Sequence, residues 1–516
     1  MKLTRSWLYA AAMAGLAVLV SCAEQQDENY DRYESMSLEA WVTQHAPEYV
    51  SENFLPVGDS GFYYDVLQPG SNESNPIGDG DMWVSFDFSG RDMSGNVVLT
   101  RSADEAKLLN TFTKYTRYVP YYRFCGSTNS GLLEGAYLAM RSTLTLSENY
   151  YNKYAAERGF DSREIRLREG SRVVLYLPSL LIGENGVSGS GGYEGGATLA
   201  AKRPMRVTME IRDTVDNPLR VEGNEVDDFC DRNGGRETFN TTDNKIPEET
   251  SDPRHPYNPA SKRWVSACDT VAQLYVNYRY DPNNDRFTFP KPYNVGYAPY
   301  NDPDLDRKIS EALVKRFHAD KEYAGIGLDP TNLQADSVGL DGTAKIWYIG
   351  RFLDGFIFDT NIDEVKELIY DKGYAAGSAL SYTPSSGGLI QAFYYTVPHL
   401  QYGQWATLIT TSTNAYGSSG KSGSTSTSTS GGSSAGSLDY INYLNYVNNY
   451  YGGYNGGYYD NYYGNYYGNY YGDYYGGYYG DYYGSNYNST TTTTTTVTTE
   501  IPSFAPLIFQ FYVEPK

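Results

Sequence analysis

The sequence predicts an α+β chain in which antiparallel sheets wrap on short helices, with a long low-complexity insert in the C-terminal part. Three observations carry that expectation. Val84, Phe86 and Phe88 alternate with Trp83, Ser85 and Asp87, while Ile346, Tyr348 and Phe352 share one period-two face; both patterns are those of half-buried strands. Asp354-Gly355 then turns the second of these into a further strand, FIFD, as a hairpin. Within Asp302–Phe317, Ile309, Leu313 and Phe317 recur every four residues, giving an amphipathic helix with Asp302 as N-cap and Pro303 at its first position.

A length of 516 residues allows two or three domains with substantial cores. The formal charge of −21 argues against nucleic acid or anionic lipid as a partner, because phosphate recognition needs clustered Lys and Arg. A solvated acidic surface accounts for it.

The N-terminus stands apart from the fold. Lys2 and Arg5 precede an apolar run, Trp7 to Val20, too short to span a bilayer comfortably, and Leu19-Val20-Ser21-Cys22 ends it. This resembles a bacterial lipoprotein signal: residues 1–21 would be removed and Cys22 lipidated. An ordinary signal peptide with an incidental cysteine is the other reading. Residues 22–35 are polar and acidic, as a tether should be. Ala23, where an inner-membrane retention signal has Asp, favours the outer membrane, and the acidic cluster resembles the surface-export tethers of Bacteroidota lipoproteins. Both the periplasmic side and the cell surface stay open.

An exported chain permits disulfides. Of Cys125, Cys230 and Cys268, the last two flank a loop-rich stretch and are expected to pair. His45, His255, His318 and His399 lie far apart without metal-type spacing, which argues against a zinc site or histidine-based nucleophilic catalysis.

Taken in order, Met36 to Phe54 predicts a short helix broken near Pro47. Residues 36–216 form a first domain. Residues 217–263, rich in Gly, Pro and charge, read as a linker, with Asn217 to Pro256 as loop. Residues 264–516 form a second domain, beginning with a long strand from Trp264 to Tyr280 and a short one from Phe287 to Pro290.

After KIWYIGRFLDGFIFDT (Lys345 to Thr360) come Leu389-Ile390, Phe393, the turn Tyr402-Gly403-Gln404, a strand from Trp405 to Ile409, Ala415-Tyr416-Gly417, Ile501-Pro502, and a last strand from Leu507 to Val513. This order resembles the FKBP family of peptidyl-prolyl cis–trans isomerases over Thr343 to Lys516, the insert removed. The resemblance implies an aromatic cup for a proline ring. Tyr348, Phe358, Phe393 and Phe509 would form its floor and walls, and Leu389, Ile390 and Ile501 would complete them. Tyr416 would offer its hydroxyl to the substrate carbonyl, the Ile390 N–H would hold the extended peptide, and Asp359 would polarise the rim. Such chemistry requires no metal or cofactor. Phe393 departs from the family's Trp, Leu380 stands where the family often has Phe, and Pro398 should end the short helix early.

Gly61 to Asp213 resembles the same family in degenerate form. It has an aromatic-x-Gly strand, an apolar helix (Leu132 to Met140), a Gly-led strand (Arg168 to Gly186) and a closing strand (Pro204 to Ile211), with an insertion around Ser147 to Ser162. Phe88, Val98-Leu99, Ile182 and Val207 replace its polar and aromatic site positions, so this domain reads as a binding or structural module.

Inside the second domain, residues 418–499 are low in complexity. Ser/Thr/Gly repeats lead to a tetrapeptide, [Asn/Asp/Gly]-Tyr-Tyr-Gly, that recurs six times from Asn461 to Gly484, and Tyr440 to Tyr487 holds 21 of the chain's 54 tyrosines. Too few aliphatic residues are present to make a core, so disorder is expected. The segment reads as an adhesive arm gathering unfolded or partner polypeptide, as an expansion without specific role, or as a site of self-association.

The function implied is that of a membrane-anchored prolyl isomerase or chaperone acting on exported, proline-containing polypeptides. The alternative is a non-catalytic FKBP-like scaffold or accessory subunit of an envelope complex. Carbohydrate binding by the exposed tyrosines has no residue pattern specifying a sugar site.

Overall fold

The computed structural model describes residues 33–46, 49–78, 82–110, 112–114, 116–124, 133–183, 199–200, 202–237, 264–268, 271–278, 280–292, 300–317, 337–370, 374–385, 388–430 and 492–516. Cys22 and the expected signal before it, Cys125 and the tyrosine repeats lie outside these residues. The chain divides into two compact units, one holding both domains and the other comprising residues 370–376 and 425–497.

The first sheet is built from β1 (Phe54–Val57), β2 (Ser60–Pro69), β3 (Trp83–Asp92), β4 (Val97–Thr100), β5 (Tyr121–Phe124), β8 (Ser171–Leu177) and β9 (Met205–Val215). Its order is β1-β2-β8-β9-β3-β4, with β5 also on β3. Two short strands, β6 (Thr143–Thr145) and β7 (Glu164–Arg166), pair separately around the helix Glu148–Arg158, where the insertion is expected.

The second sheet contains β10 (Arg236–Glu237), β11 (Trp264–Ser266), β12 (Leu274–Asn277), β13 (Ala344–Phe352), β14 (Ile357–Thr360), β15 (Leu380–Tyr382), β16 (Trp405–Thr410) and β19 (Leu507–Val513). Its order is β10-β11-β12-β16-β19-β13-β14, with β15 on β13. Apart from the short parallel β10–β11 pair, this repeats the first sheet strand for strand: β11, β12, β16, β19, β13, β14 and β15 take the places of β1, β2, β8, β9, β3, β4 and β5. A helix lies in the core of each, Glu134–Arg141 in the first and Gln391–Thr396 in the second.

Register makes the correspondence exact to the residue. Gly90 pairs with Leu99 on β4 and Val207 on β9. Gly350 pairs with Asp359 on β14 and Phe509 on β19.

The repeat extends to a helix preceding each sheet. The helix over 33–45 carries Glu34, whose buried carboxylate accepts from the Ser179 N–H at 2.8 Å and from Ser179 Oγ at 2.6 Å. The helix Pro218–Arg232 carries Glu222, which accepts in the same way from Ser412 N–H at 3.0 Å and Ser412 Oγ at 2.7 Å. Each serine opens the single turn that follows the central strand β8 or β16. The helix Pro218–Arg232 corrects the reading of Asn217 to Pro256 as loop. Asn217 caps it by accepting from the Arg220 N–H, Pro218 opens it, and Val226, Phe229 and Cys230 bury against Trp264, Tyr275, Ile409 and Ile508.

Other expectations are corrected at the start of the second domain. Trp264 to Tyr280 is two antiparallel strands, β11 and β12, rather than one. Phe287 and Phe289 form no strand; they pack on Phe229 beside Trp264 in an aromatic cluster. Cys230 is a free buried thiol, so the expected Cys230–Cys268 disulfide is not made. Burial first, then the negative Asp227 nearby, push its pKa far up, which makes it an inert core residue.

The helix expected at 302–317 runs Leu305–Phe317. Asp302 caps a turn before it, accepting from the Asp304 N–H at 2.9 Å. Ile309 and Leu313 are buried, and Phe317 packs among Trp347, Trp405 and Tyr512.

The second unit, described by itself, contains β17 (Ser424–Ser430) paired with β18 (Thr492–Thr498). Disorder is therefore not the rule at the two ends of the insert. Alternating Ser/Thr and a run of β-branched threonines suit a pleated ribbon.

Candidate functional site

Phe509 is the centre of the second domain's aromatic cluster. β19 lies between β13 and β16, setting Phe509 opposite Gly350 on one side and Leu408 on the other. Its ring centre is 5.2 Å from Phe393, 5.6 Å from Phe358 and 6.1 Å from Tyr348. The planes meet at 68°, 87° and 55°, the inclined arrangements that aromatic quadrupoles favour.

Gly350 makes this packing possible. A Cβ there would stand 2.5 Å from Cζ of Phe358, so only glycine lets the Phe358 ring come this close to β13. Phe358, Phe393, Phe509 and Ile501 are buried in one core cluster, and Tyr348, Leu389, Ile390, Leu380 and Tyr416 are half-buried against it. Thus the structure brings together all the residues the sequence analysis assigned to the cup.

Asp359 sits on the partly exposed side of β14. It accepts from the Tyr348 hydroxyl at 2.6 Å, which turns Tyr348 towards the rim. Tyr416 is half-buried, and among the described residues its hydroxyl has no hydrogen-bond partner. Burial first, then the negative charge of Asp359, raise its pKa, so the phenol remains a neutral donor.

Ile390 is the N-cap of the helix Gln391–Thr396, held extended at φ −64° and ψ 149°. Its carbonyl accepts from the Phe393 N–H at 3.1 Å. Among the described residues its own N–H has no acceptor. The helix stops at Thr396, with Pro398 in the single turn that follows, as proline's missing donor dictates.

The loop bearing Tyr416 is cross-tied. The Gly417 N–H donates to the Ser412 carbonyl at 2.8 Å and the Gly420 N–H to the Tyr416 carbonyl at 3.1 Å. Lys421 and Ile501 exchange N–H to carbonyl bonds, each 2.8 Å, and the Lys421 ammonium lies 5.5 Å from the Tyr416 ring centre. Gly420, at φ 65°, fits there because a Cβ would come within 2.2 Å of the Ile501 carbonyl.

Sequence reasoning missed Asn361. Buried beneath the cup, it accepts from the Tyr348 N–H at 2.7 Å and donates to the carbonyls of Ile346 at 2.9 Å and Ser378 at 3.0 Å. Thr360 Oγ1 adds a bond to the Tyr348 carbonyl at 2.7 Å. Two short polar residues directly after FIFD were the available signal.

The fold and site define an α+β domain with an aromatic cup, one neutral hydroxyl and one open backbone N–H at its rim. Among the described residues it presents no nucleophile–base pair. The first domain has Val98, Leu99 and Val207 at the places of Phe358, Asp359 and Phe509, so its cup lacks those two aromatic rings and the rim carboxylate, while Phe88 keeps a ring without a hydroxyl at the place of Tyr348.

Among solved structures, the chain is similar to FKBP proteins. The three FKBP domains of wheat FKBP73 match with 10% identity and a TM-score of 0.18, over 89% of this chain and 95% of that one. FkpA from Escherichia coli matches with 16% identity and a TM-score of 0.22, over 41% and 74% respectively. AtFKBP13 matches with 14% identity and a TM-score of 0.20, over 31% and 98%. No family model matches the chain, and no curated protein matches it.

Proposed function

We propose that the second domain is an FKBP-type peptidyl-prolyl cis–trans isomerase, carried by a lipoprotein that Cys22 anchors to the outer membrane and serving exported polypeptides. The observation that supports it is the convergence of Tyr348, Phe358, Phe393 and Phe509 on one cup, with the Tyr416 hydroxyl and the Ile390 N–H at its edge.

The barrier to rotation, roughly 18–20 kcal/mol, comes from the partial double bond of the amide. In the twisted transition state that resonance is lost and the amide is less polar than in either planar form. An apolar cup disfavours the planar amide relative to the twisted one, and so lowers the barrier by differential binding. The Tyr416 hydroxyl donates to a substrate carbonyl outside the rotating amide, and the Ile390 N–H fixes the peptide so that one side rotates while the other is held.

The first domain serves as a binding or structural module, because Leu99 and Val207 remove the carboxylate and the aromatic floor. If both domains only bind, the chain is a scaffold or accessory subunit of an envelope complex. Turnover of an X-Pro peptide by the chain separates the readings, with Tyr416→Phe and Phe358→Ala expected to lower it. Mass analysis of the N-terminal peptide from membranes, beside Cys22→Ala, tests the anchor.

A further inference from the structure

Two side chains of the first domain grip the segment that carries Ile501. Arg101, immediately after β4, is buried, and its guanidinium donates to the Glu500 carboxylate at 2.9 Å. Trp83, which opens β3, meets Phe504 edge-on with ring centres 4.5 Å apart. Between these two holds lies the Ile501–Lys421 bridge, and the Phe504 N–H donates to the Gly417 carbonyl at 3.3 Å. Phe504 has φ 54°, an unfavourable conformation for an aromatic residue that its surroundings must maintain.

A third hold acts on the other side of the cup. The Arg117 guanidinium donates to Asp354 at 2.7 Å and stacks 4.4 Å over the Phe352 ring, at the turn between β13 and β14. Both chain segments that bound the cup, the hairpin with Phe358 and the rim with Ile501, therefore rest on the first domain.

Divergence between the repeats points the same way. Asn361, two residues after Asp359, braces its own β13. Arg101, two residues after Leu99, occupies the matching place in the first domain and reaches the neighbouring domain instead.

We propose that the first domain is the positioning element of the second domain's pocket, acting through Arg101 on Glu500 to set the Ile501 wall. Its catalytic consequence rests on the isomerase reading. Arg101 is buried and Glu500 partly so, and removing either leaves the other without its opposite charge, so the segment should open rather than rearrange in place.

The test uses the mature full-length chain with Arg101→Gln, Glu500→Gln, and the exchange of charges in Arg101→Glu with Glu500→Arg. Amide hydrogen exchange is read at Ile501 and Lys421, and KM and kcat are read on an X-Pro peptide. Each single variant should exchange about ten-fold faster at Ile501 while the β13–β19 ladder stays protected. KM should rise about three- to ten-fold with kcat within about two-fold, the pattern of weakened uniform binding. The charge exchange should restore both. Unchanged exchange at Ile501 in both single variants would overturn the proposal, and so would faster exchange with an unchanged KM. If the wild-type chain gives no turnover, the isomerase reading fails while the exchange experiment still decides whether Arg101 sets the segment.

Discussion

Replacing Gly350 by alanine is a small change with a large expected consequence. The added Cβ would stand 2.5, 2.8 and 3.1 Å from three atoms of the Phe358 ring. Ordinary carbon contacts lie at roughly 3.5–4.0 Å, so the ring must retreat by about 1 Å. It has little room to do so, because Phe352 stands 5.1 Å from it and Phe509 5.6 Å, centre to centre. Overpacking of this kind costs about 1–3 kcal/mol, and a wall displaced by about 1 Å can lower turnover up to about 10²-fold. Gly90→Ala is the internal control, since it holds the matching place in the first domain. There the nearest atom is Met205 Sδ at 2.9 Å, at the end of a flexible thioether, and the expected cost is below about 1 kcal/mol. Urea unfolding followed by residue-level amide exchange assigns the loss to the right domain, which a single bulk signal from two domains would not. If Gly350→Ala changes stability by less than about 0.5 kcal/mol and leaves turnover intact, the packing account of the cup is wrong.

Three further outcomes are expected. Tyr416→Phe should lower kcat/KM by about two- to ten-fold, the worth of one hydrogen bond of roughly 0.5–1.5 kcal/mol, with an unchanged Tm because its hydroxyl binds nothing within the described fold. Tyr348→Phe should lower stability by about 1 kcal/mol in thermal melts, since Asp359 loses its donor. Burial raises the pKa of Glu222 above the ordinary carboxylate value, so the stability it contributes is complete below the unfolded value and is lost as pH rises through the folded one. Glu222→Gln, which keeps an acceptor for Ser412, should therefore raise Tm at neutral pH more than below the carboxylate range; an equal shift at both would refute the sign.

The parts of the molecule legible in the sequence are those where local pattern and final contact coincide. The β13–β14 hairpin announced itself by alternation and by Asp354-Gly355, and the Gly350–Asp359 pairing follows from that turn. The cup residues were placed by family order rather than by periodicity, because aromatic spacing alone does not separate a core from a pocket. The helix Pro218–Arg232 was hidden by its charge and by Gly223, although Asn217-Pro218 is the same cap signal as Asp302-Pro303. What gives it a place is tertiary: Glu222 finds Ser412, 190 residues away. The Glu34–Ser179 and Glu222–Ser412 clamps could not be read from the chain, since a lone carboxylate in a helix carries no pattern. The two-strand form of Trp264 to Tyr280 was legible in part, since Asp269-Thr270 and Gln273 interrupt the apolar residues between the strands, and Gln273 lies at φ 48°.

The central claim is that the second domain turns a prolyl bond in the cup centred on Phe509. The direct measurement is cis-to-trans conversion of a short X-Pro peptide by the mature full-length chain, beside Tyr416→Phe and Phe358→Ala, with folding of each checked by amide exchange. Turnover by the wild type that falls in both variants is the predicted result. A folded wild-type chain that leaves the peptide's conversion at its uncatalysed rate would contradict it.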